Sequence, residues 1–334
     1  IIIGEPVEEL FRNVQASISD AAGWFFILLA NLLMFFLIYL AFSKFGKIRL
    51  GGVNAKPDFS RISWFSMLFS AGLGIGLLFY GVAEPIYHFN DNPFVDNTDT
   101  IAAAKSAMGI TFYHYGIQAW SIYATVGLAL AFFTFNLKLP LTIRSIFYPL
   151  LGDKIYGRWG DLIDVISVIA TVVGLATSLG LGAQQVNAGI EYLFGIEYSR
   201  EAQMIIIVII TALATLSLLA GLDKGIRRLS EVNMGLAMVL LVFVLAIGPT
   251  AFLMDSFVQN LGYYIDNFFK IGLWTESFVG VKDDSNWQNV WTVFYYAWWI
   301  AWSPFVGIFI ARVSKGRTIT EFILGVVLVP SLLT

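Results

Sequence analysis

Long stretches without a charged side chain are the feature that most limits how this chain folds. Seven of them exceed the roughly 20 residues that a helix needs to cross about 30 Å of hydrocarbon. They cover residues 21–43, 62–83, 106–137, 165–190, 202–222, 232–254 and 285–311. An eighth begins at Phe322 and runs to Thr334. We therefore expect an all-α integral membrane protein with seven complete spans and part of an eighth.

The composition agrees with a bilayer environment and excludes several kinds of site. Apolar residues make up 58% of the chain and charged residues 13%, and the mean hydropathy is +0.76, far from the averages of soluble domains. The sequence has no cysteine and only two histidines, so it lacks a disulfide framework and thiolate metal ligands. No carboxylates cluster within a span. We expect no enzymatic activity, no organic cofactor and no nucleic-acid partner.

The distribution of basic residues indicates the orientation. Fifteen of the 20 Lys and Arg residues fall in alternate connections, at positions 44–61, 138–158, 224–228 and 312–317. The positive-inside rule places these connections in the cytoplasm and the others outside. In the outer segment 255–286, the aromatic patch LGYYIDNFFKIGLW predicts a helix lying at the membrane interface, with a plain connecting loop as the alternative.

Two spans contain residues that weaken helices. FSAGLGIGLLFYG includes Gly72, Gly74 and Gly76, and WSPFVG includes Pro304 and Gly307. Glycine weakens a helix by about 1 kcal/mol and proline by about 3, so we expect both spans to be interrupted there. Broken helices at matching places in two inverted repeats are typical of secondary transporters. At the glycines, close helix packing is the alternative interpretation.

Aromatic side chains collect in the middle of two spans, away from the interfacial belts where membrane tryptophans are common. On a helix, Trp298, Trp299 and Trp302 share one face, and Trp120 and Tyr123 share another. Packing of the protein core is one explanation. The other is binding of a cation that donates no hydrogen bonds, because each ring face attracts a quaternary ammonium by about 0.5 to 2 kcal/mol.

Three motifs carry a resemblance to a known family: GLGIGLLFYGVAEP at 72–85, GLATSLGLGAQQ at 174–185 and AWWIAWSPFVGIFIAR at 297–312. With them the chain resembles the betaine/choline/carnitine transporters (BCCT) over essentially its whole length. The resemblance implies a leucine-transporter-type inverted-repeat fold of twelve helices. In that frame the chain is a fragment lacking helix 1 and most of the second repeat. It also implies a homotrimer in the inner (cytoplasmic) membrane.

The resemblance divides the chain into consecutive parts. Residues 1–20 form an outer connector and residues 21–43 form helix 2. The first inverted repeat, helices 3 to 7, covers residues 62–254. An outer interfacial segment follows at 255–286, and residues 287–334 begin the second repeat with helix 8 and part of helix 9.

The substrate cage implied by the resemblance lies on helices 4 and 8 and on the unwound glycine segment. Its members are Trp120, Tyr123, Trp298, Trp299, Trp302, Gly72, Gly74 and Gly76. Tyr115 occupies a further aromatic position of the family. On a continuous helix it lies about 140° from Trp120, which counts against its participation.

Sodium is the coupling ion that the resemblance implies. One site would use backbone carbonyls near Ser70 and Leu73, and a further site would involve Thr171 and Phe305. One turn after Thr171, where a second hydroxyl is expected, the chain has Leu175. Because sodium prefers oxygen ligands, this second site is expected to bind the ion weakly or not at all.

The function implied is secondary active transport of a quaternary ammonium compound, most closely sodium symport of glycine betaine. Choline carriers of the family often have aspartate at the last position of the glycine motif, where this chain has Gly76. The alternatives are a proton-coupled choline transporter and a carnitine/butyrobetaine exchanger. His114 is interpreted as a hydrogen-bonded packing residue. Glu84, at a span end, is expected to have no role in transport.

The orientation gives a direct test by single-cysteine labelling, since the chain has no native cysteine. We expect Asn54→Cys to be labelled by a membrane-impermeant thiol reagent only after the membrane is permeabilised. Asp91→Cys, in an outer connection, serves as the control and should be labelled on intact cells. Labelling of Asn54→Cys on intact cells would contradict the topology.

Overall fold

The computed structural model describes residues 5–72, 74–221, 225–278 and 286–333. In these ranges the regular elements are helical, and one isolated β-bridge joins Arg49 to Thr318. The helices are α1 (Glu5–Phe42), α2 (Arg61–Gly72), α3 (Ile75–Asn90), α4 (Thr100–Tyr115), α5 (Ile117–Phe135), α6 (Tyr148–Leu151), α7 (Arg158–Phe194), α8 (Arg200–Leu219), α9 (Arg227–Ile247), α10 (Thr250–Asp266), α11 (Phe268–Gly272), α12 (Phe294–Val313), α13 (Ile319–Ile323) and α14 (Val329–Leu333). Two π-helical turns occupy Asn289–Val293 and Leu324–Leu328.

The helices confirm an all-α membrane protein. Within the described ranges, six helical stretches are long and apolar enough to cross a membrane, with α4 and α5 counted together as Thr100–Phe135. A bent pair of helices, counted as one span, makes seven. These seven correspond one to one with the charge-free stretches. The expected connector at residues 1–20 is helical from Glu5 onwards and continuous with helix 2. Pro6 does not prevent this, because proline in a first turn removes no intrahelical hydrogen bond.

The glycine-rich span is bent, as the sequence predicts. The segments Arg61–Ala71 and Gly76–Asn90 are inclined at 63° to each other. Gly74 is the residue before α3 and contributes no side-chain cap to it. Glycine has no Cβ atom and adopts many backbone conformations, so it stabilises a helix only weakly at this place.

The predicted interruption at Pro304 is wrong, because α12 continues through this residue. Proline lacks the N–H that would bond to the carbonyl of Ile300, four residues earlier. The hydroxyl of Ser303 donates to that same carbonyl at 2.8 Å. The Ser-Pro pair therefore satisfies the freed oxygen locally, and the helix needs no unwinding to do so.

A helix break that the sequence analysis did not anticipate lies at Gly116, inside the span predicted at 106–137. Here α4 ends and α5 begins. A Cβ atom at Gly116 would lie 2.3 Å from the carbonyl oxygen of Phe112 and 3.0 Å from the hydroxyl of Tyr264. Only glycine fits this backbone, so the break depends on the absence of a side chain.

The described part of the segment predicted at 255–286 contains most of α10 and all of α11, and both helices pack on the bundle. The hydroxyl of Tyr264 in α10 donates to Gln118 Oε1 at 2.9 Å. The carbonyl of Gly272 accepts from Asn31 Nδ2 at 2.7 Å and from the Tyr113 hydroxyl at 3.2 Å. These bonds attach α10 to α5, and α11 to α1 and α4. Helical structure in this segment is confirmed, and its position at the membrane interface stays a prediction.

The core lies where α5 and α12 cross with almost no space between them. A Cβ at Gly307 would lie 2.8 Å from Val126 Cγ1 and 3.2 Å from the backbone nitrogen of Gly127. A Cβ at Gly127 would in turn lie 3.1 Å from Ile310. Outside this core, α7, α8 and α9 are mostly exposed, with 6% of each apolar window buried.

This crossing predicts a difference between two glycine-to-alanine substitutions. Gly307→Ala should destabilise the protein by about 1 to 3 kcal/mol, because the added methyl group overlaps Val126. Gly235→Ala is the matched control, since Gly235 lies within α9 and a Cβ there meets nothing within 4 Å. Thermal unfolding in detergent should show a lower Tm for Gly307→Ala alone. Equal Tm values for the two variants would contradict the close packing.

Candidate functional site

An aromatic cluster lies where α5 and the end of α4 meet α12. The indoles of Trp298 and Trp299 are parallel, with centroids 5.8 Å apart. The rings of Tyr123 and Tyr115 form T-shaped pairs with the Trp299 ring, with centroids 5.5 Å and 5.8 Å away. All four side chains are buried. Four of the six aromatic residues predicted from the sequence are therefore brought together.

The break at Gly116 explains why Tyr115 belongs to this cluster. The angle of about 140° from Trp120 assumes a continuous helix, but Tyr115 is the last residue of α4 and Trp120 lies in α5. Its ring also meets the edge of Tyr295 at 5.4 Å. Tyr115 thus faces the cluster, contrary to the helical-wheel expectation.

The glycine segment lies against the same cluster. A Cβ at Gly76 would be 3.0 Å from Cη2 of Trp298. The Tyr115 hydroxyl donates to the carbonyl of Gly76 at 3.2 Å. Gly72 ends α2, and Gly74 precedes α3 across the bend. Of the three predicted glycines, Gly76 is the one with described contacts to the rings.

The remaining two tryptophans are placed differently from each other. Trp120 is buried, and its ring centroid lies 5.7 Å from that of Tyr123, so it packs on the cluster through Tyr123. Trp302 lies against α7: a Cβ at Gly174 would be 2.2 Å from its Cδ1. The ring contact recorded for Trp302 is with Phe305, at 5.8 Å. The three indoles of α12 therefore do not line one surface.

One polar atom in the cluster has no partner in the part of the chain that the structure describes. The hydroxyl of Tyr123 is buried and makes no hydrogen bond there. Such a group raises the free energy of the folded state by about 1 to 3 kcal/mol. It is thus a donor available to a further group beside the Trp299 ring.

The residues predicted to bind sodium lie apart from the aromatic cluster's ring contacts and have other partners. The Ser70 hydroxyl accepts from Asn233 Nδ2 at 3.3 Å, which joins α2 to α9. The Thr171 hydroxyl donates to the carbonyl of Ser167 within α7, and Phe305 is half exposed. Leu73 lies outside the described residues.

A buried acidic residue beside two histidines is the feature that the sequence analysis missed. Glu84 has no exposed surface, and neither have His88 and His114. His88 Nε2 lies 3.0 Å from Glu84 Oε1, and His114 Nδ1 contacts the same oxygen. Glu84 does not lie at a helix end, as the sequence suggested, because α3 continues to Asn90 and the carboxylate is buried in the core. The expectation that it has no role in transport stays a prediction.

The rest of this cluster, which we call the Glu84 cluster, consists of hydroxyl groups. The Tyr295 hydroxyl donates to Glu84 Oε2 at 2.6 Å. His114 Nε2 lies 3.0 Å from the hydroxyl of Thr292, which confirms His114 as a hydrogen-bonded residue. One side-chain oxygen of Glu84 and one ring nitrogen each of His88 and His114 lie within 4.8 Å of one another. Because both imidazoles contact one carboxylate oxygen directly, we interpret them as hydrogen-bond donors to it. The spacing of Glu84 and His88, one helical turn, was the available sequence signal.

Comparison with known proteins decides the family. The model of the BCCT, betaine/carnitine/choline family transporter, matches residues 1–334. The chain belongs to this family. It is 48% identical over 337 residues to the glycine betaine transporter OpuD of Bacillus subtilis, which covers 100% of this chain and 65% of OpuD. It is 45% identical to a glycine betaine transporter of Acinetobacter baylyi, covering 99% of this chain and 49% of that protein.

The family includes relatives with different substrates in their names. The high-affinity choline transport protein of Escherichia coli is 45% identical over 329 residues, which is 96% of this chain and 48% of that protein. The chain thus spans about half to two thirds of the length of these relatives. Membership of BCCT makes it a transporter-family chain and not an enzyme.

Proposed function

We propose that this chain forms the substrate site of a secondary active transporter that carries glycine betaine by sodium symport. One observation carries the proposal: Tyr115, Tyr123, Trp298 and Trp299 converge beside the bent glycine segment. These rings attract a trimethylammonium group, which cannot donate a hydrogen bond, through their electron-rich faces. The similarity to OpuD and to the Acinetobacter protein supports glycine betaine as the substrate.

The two ends of a zwitterion find different groups at this site. The ammonium end meets the rings of Trp298 and Trp299. The carboxylate end meets the unpartnered hydroxyl of Tyr123 and the backbone amides that helix unwinding frees near Gly74. Since betaine brings its own negative charge, a neutral residue at position 76 suffices. Alternating access would use the 63° bend as its hinge.

Sodium, the assembly and the membrane complete the proposal. We assign the coupling ion to the carbonyls near Ser70 and Leu73, with a weaker site at Thr171 and Phe305, where Leu175 withholds a ligand. The protein is proposed to act as a homotrimer in the inner membrane. A proton-coupled choline transporter is the second candidate, favoured by the similarity to the choline transport protein and by the buried Glu84 cluster. A carnitine exchanger is the remaining alternative.

Uptake measurements test the proposed function. Proteoliposomes containing the full-length protein should accumulate labelled glycine betaine against its gradient when sodium is higher outside. Choline and carnitine should accumulate less under the same conditions. Better accumulation of choline than of betaine, or accumulation that ignores the sodium gradient, would contradict the proposal. Equilibration without accumulation would indicate a channel.

The position of the rings predicts different effects of two leucine substitutions in α12. Trp298→Leu should weaken betaine binding by about 1 to 2 kcal/mol, roughly tenfold, because it removes a ring beside Gly76. Trp302→Leu is the matched comparison and should have a smaller effect, since this ring lies against Gly174 of α7. Binding is measured by titration of the purified protein. A larger loss of betaine affinity for Trp302→Leu would favour the cage predicted from the sequence, in which Trp302 binds the substrate.

A charge introduced at the glycine segment should change substrate preference. Gly76→Asp places a carboxylate beside the Trp298 ring and should raise choline uptake relative to betaine uptake, because choline lacks a negative group of its own. Gly76→Asn has nearly the same shape and no charge, so it serves as the control. An equal change in both variants would assign the effect to crowding against Trp298.

A further inference from the structure

A row of closely spaced polar groups joins the Glu84 cluster to the aromatic site. The Tyr295 hydroxyl donates to Glu84 Oε2 at 2.6 Å. The hydroxyls of Tyr295 and Tyr115 are 3.3 Å apart, and Tyr115 donates to the carbonyl of Gly76 at 3.2 Å. Two phenols therefore separate the buried carboxylate from the backbone that lies against Trp298.

The negative charge of this carboxylate is not matched by a lysine or arginine among the described residues. The basic side chains that contact Glu84 there are the imidazoles of His88 and His114, which carry no charge in their neutral form. A buried carboxylate of this kind is stabilised by strong donors, here two ring N–H groups and one phenol. The titratable groups facing it are His88 and Tyr80 on α3, His114, Tyr113 and Tyr115 on α4, and Tyr295 on α12.

The phenol that binds Glu84 also belongs to the ring stack. The Tyr295 ring is nearly parallel to that of Trp299, at 29° and 6.4 Å, and lies 6.4 Å from that of Trp298. A hydroxyl that donates to a carboxylate becomes more electron-rich, because hydrogen bonds polarise one another in a low-dielectric interior. The carboxylate therefore acts on the site both through the field of its charge and through the ring beside it.

We propose that Glu84 determines selectivity between cationic and zwitterionic substrates, by supplying through Tyr295 the negative charge that a cationic quaternary ammonium lacks. The inference rests on the proposed function and deepens it. A cation such as choline gains the full attraction of this charge. Betaine gains less, because its own carboxylate is repelled while its ammonium is attracted. Glu84 is thus a positioning residue that acts through Tyr295 and does not itself touch the substrate.

The proposal also predicts a pH dependence. Uptake of one proton by the Glu84 cluster cancels its negative charge. Choline binding should then weaken as the pH falls, whereas betaine binding should change little.

The experiment measures Kd for choline and for glycine betaine with the purified full-length protein, at neutral and at acidic pH. Glu84→Gln should raise the Kd for choline by roughly tenfold and that for betaine by less than about threefold. Tyr295→Phe keeps the ring and removes the hydrogen bond, so it should shift the ratio in the same direction and covers the case in which Glu84→Gln fails to fold. Glu191→Gln removes an exposed carboxylate at the end of α7 and should leave the ratio unchanged.

The outcomes separate the inference from the proposed function. A ratio that shifts in Glu84→Gln or Tyr295→Phe, together with a pH dependence that Glu84→Gln abolishes, supports the inference. Equal weakening of both substrates, or an unchanged ratio, would show a purely structural role and overturn it while leaving the proposed function intact. An unmodified protein that binds neither compound would overturn both.

Discussion

The close crossing of α5 and α12 is the contact on which the rest of the structure depends. Gly127 and Gly307 leave so little space that a single methyl group at either position meets the opposite helix. Because the backbones approach this closely, the large side chains on either side of the crossing must interdigitate. The aromatic cluster follows from this geometry, since Tyr123 on α5 and Trp299 on α12 reach each other only when the two helices touch. A larger residue at the crossing would separate the rings.

The polar groups inside this apolar bundle are satisfied by a few specific bonds. The Ser303 hydroxyl donates to the carbonyl that Pro304 leaves without an N–H donor. Gln118 accepts from Tyr264 of α10, and Glu84 accepts from Tyr295. In a medium without water, the bonds of Tyr264 and of Tyr295 also fix the position of one helix relative to another. The Glu84 cluster differs from the others because its bonds hold a charge. That charge lies close to the site where a quaternary ammonium is proposed to bind.

The sequence predicts the helical spans well, because length and charge determine which segments can cross a bilayer. It predicts the bent segment because glycine weakens a helix. It predicts Tyr123, Trp298 and Trp299 as neighbours through the family resemblance, which rests in part on a motif that includes the two tryptophans. The sequence does not predict the features that contacts between side chains and between helices determine. At the Gly116 break, a Cβ would meet the Phe112 carbonyl and also the hydroxyl of Tyr264, which is distant in sequence. At Pro304 the Ser303 hydroxyl donates to the carbonyl that proline leaves without an N–H donor, a detail that side-chain geometry decides. The Glu84 cluster depends on three helices meeting.

The central claim is that the aromatic cluster binds a cation because that cation is fully methylated. The most direct test is a titration of the protein with glycine betaine, dimethylglycine, sarcosine and glycine, which share a carboxylate and differ only in N-methyl groups. Affinity should fall with each methyl group removed, because each new N–H must be stripped of water and finds no acceptor among ring faces. Comparable affinity for glycine and glycine betaine would contradict this account.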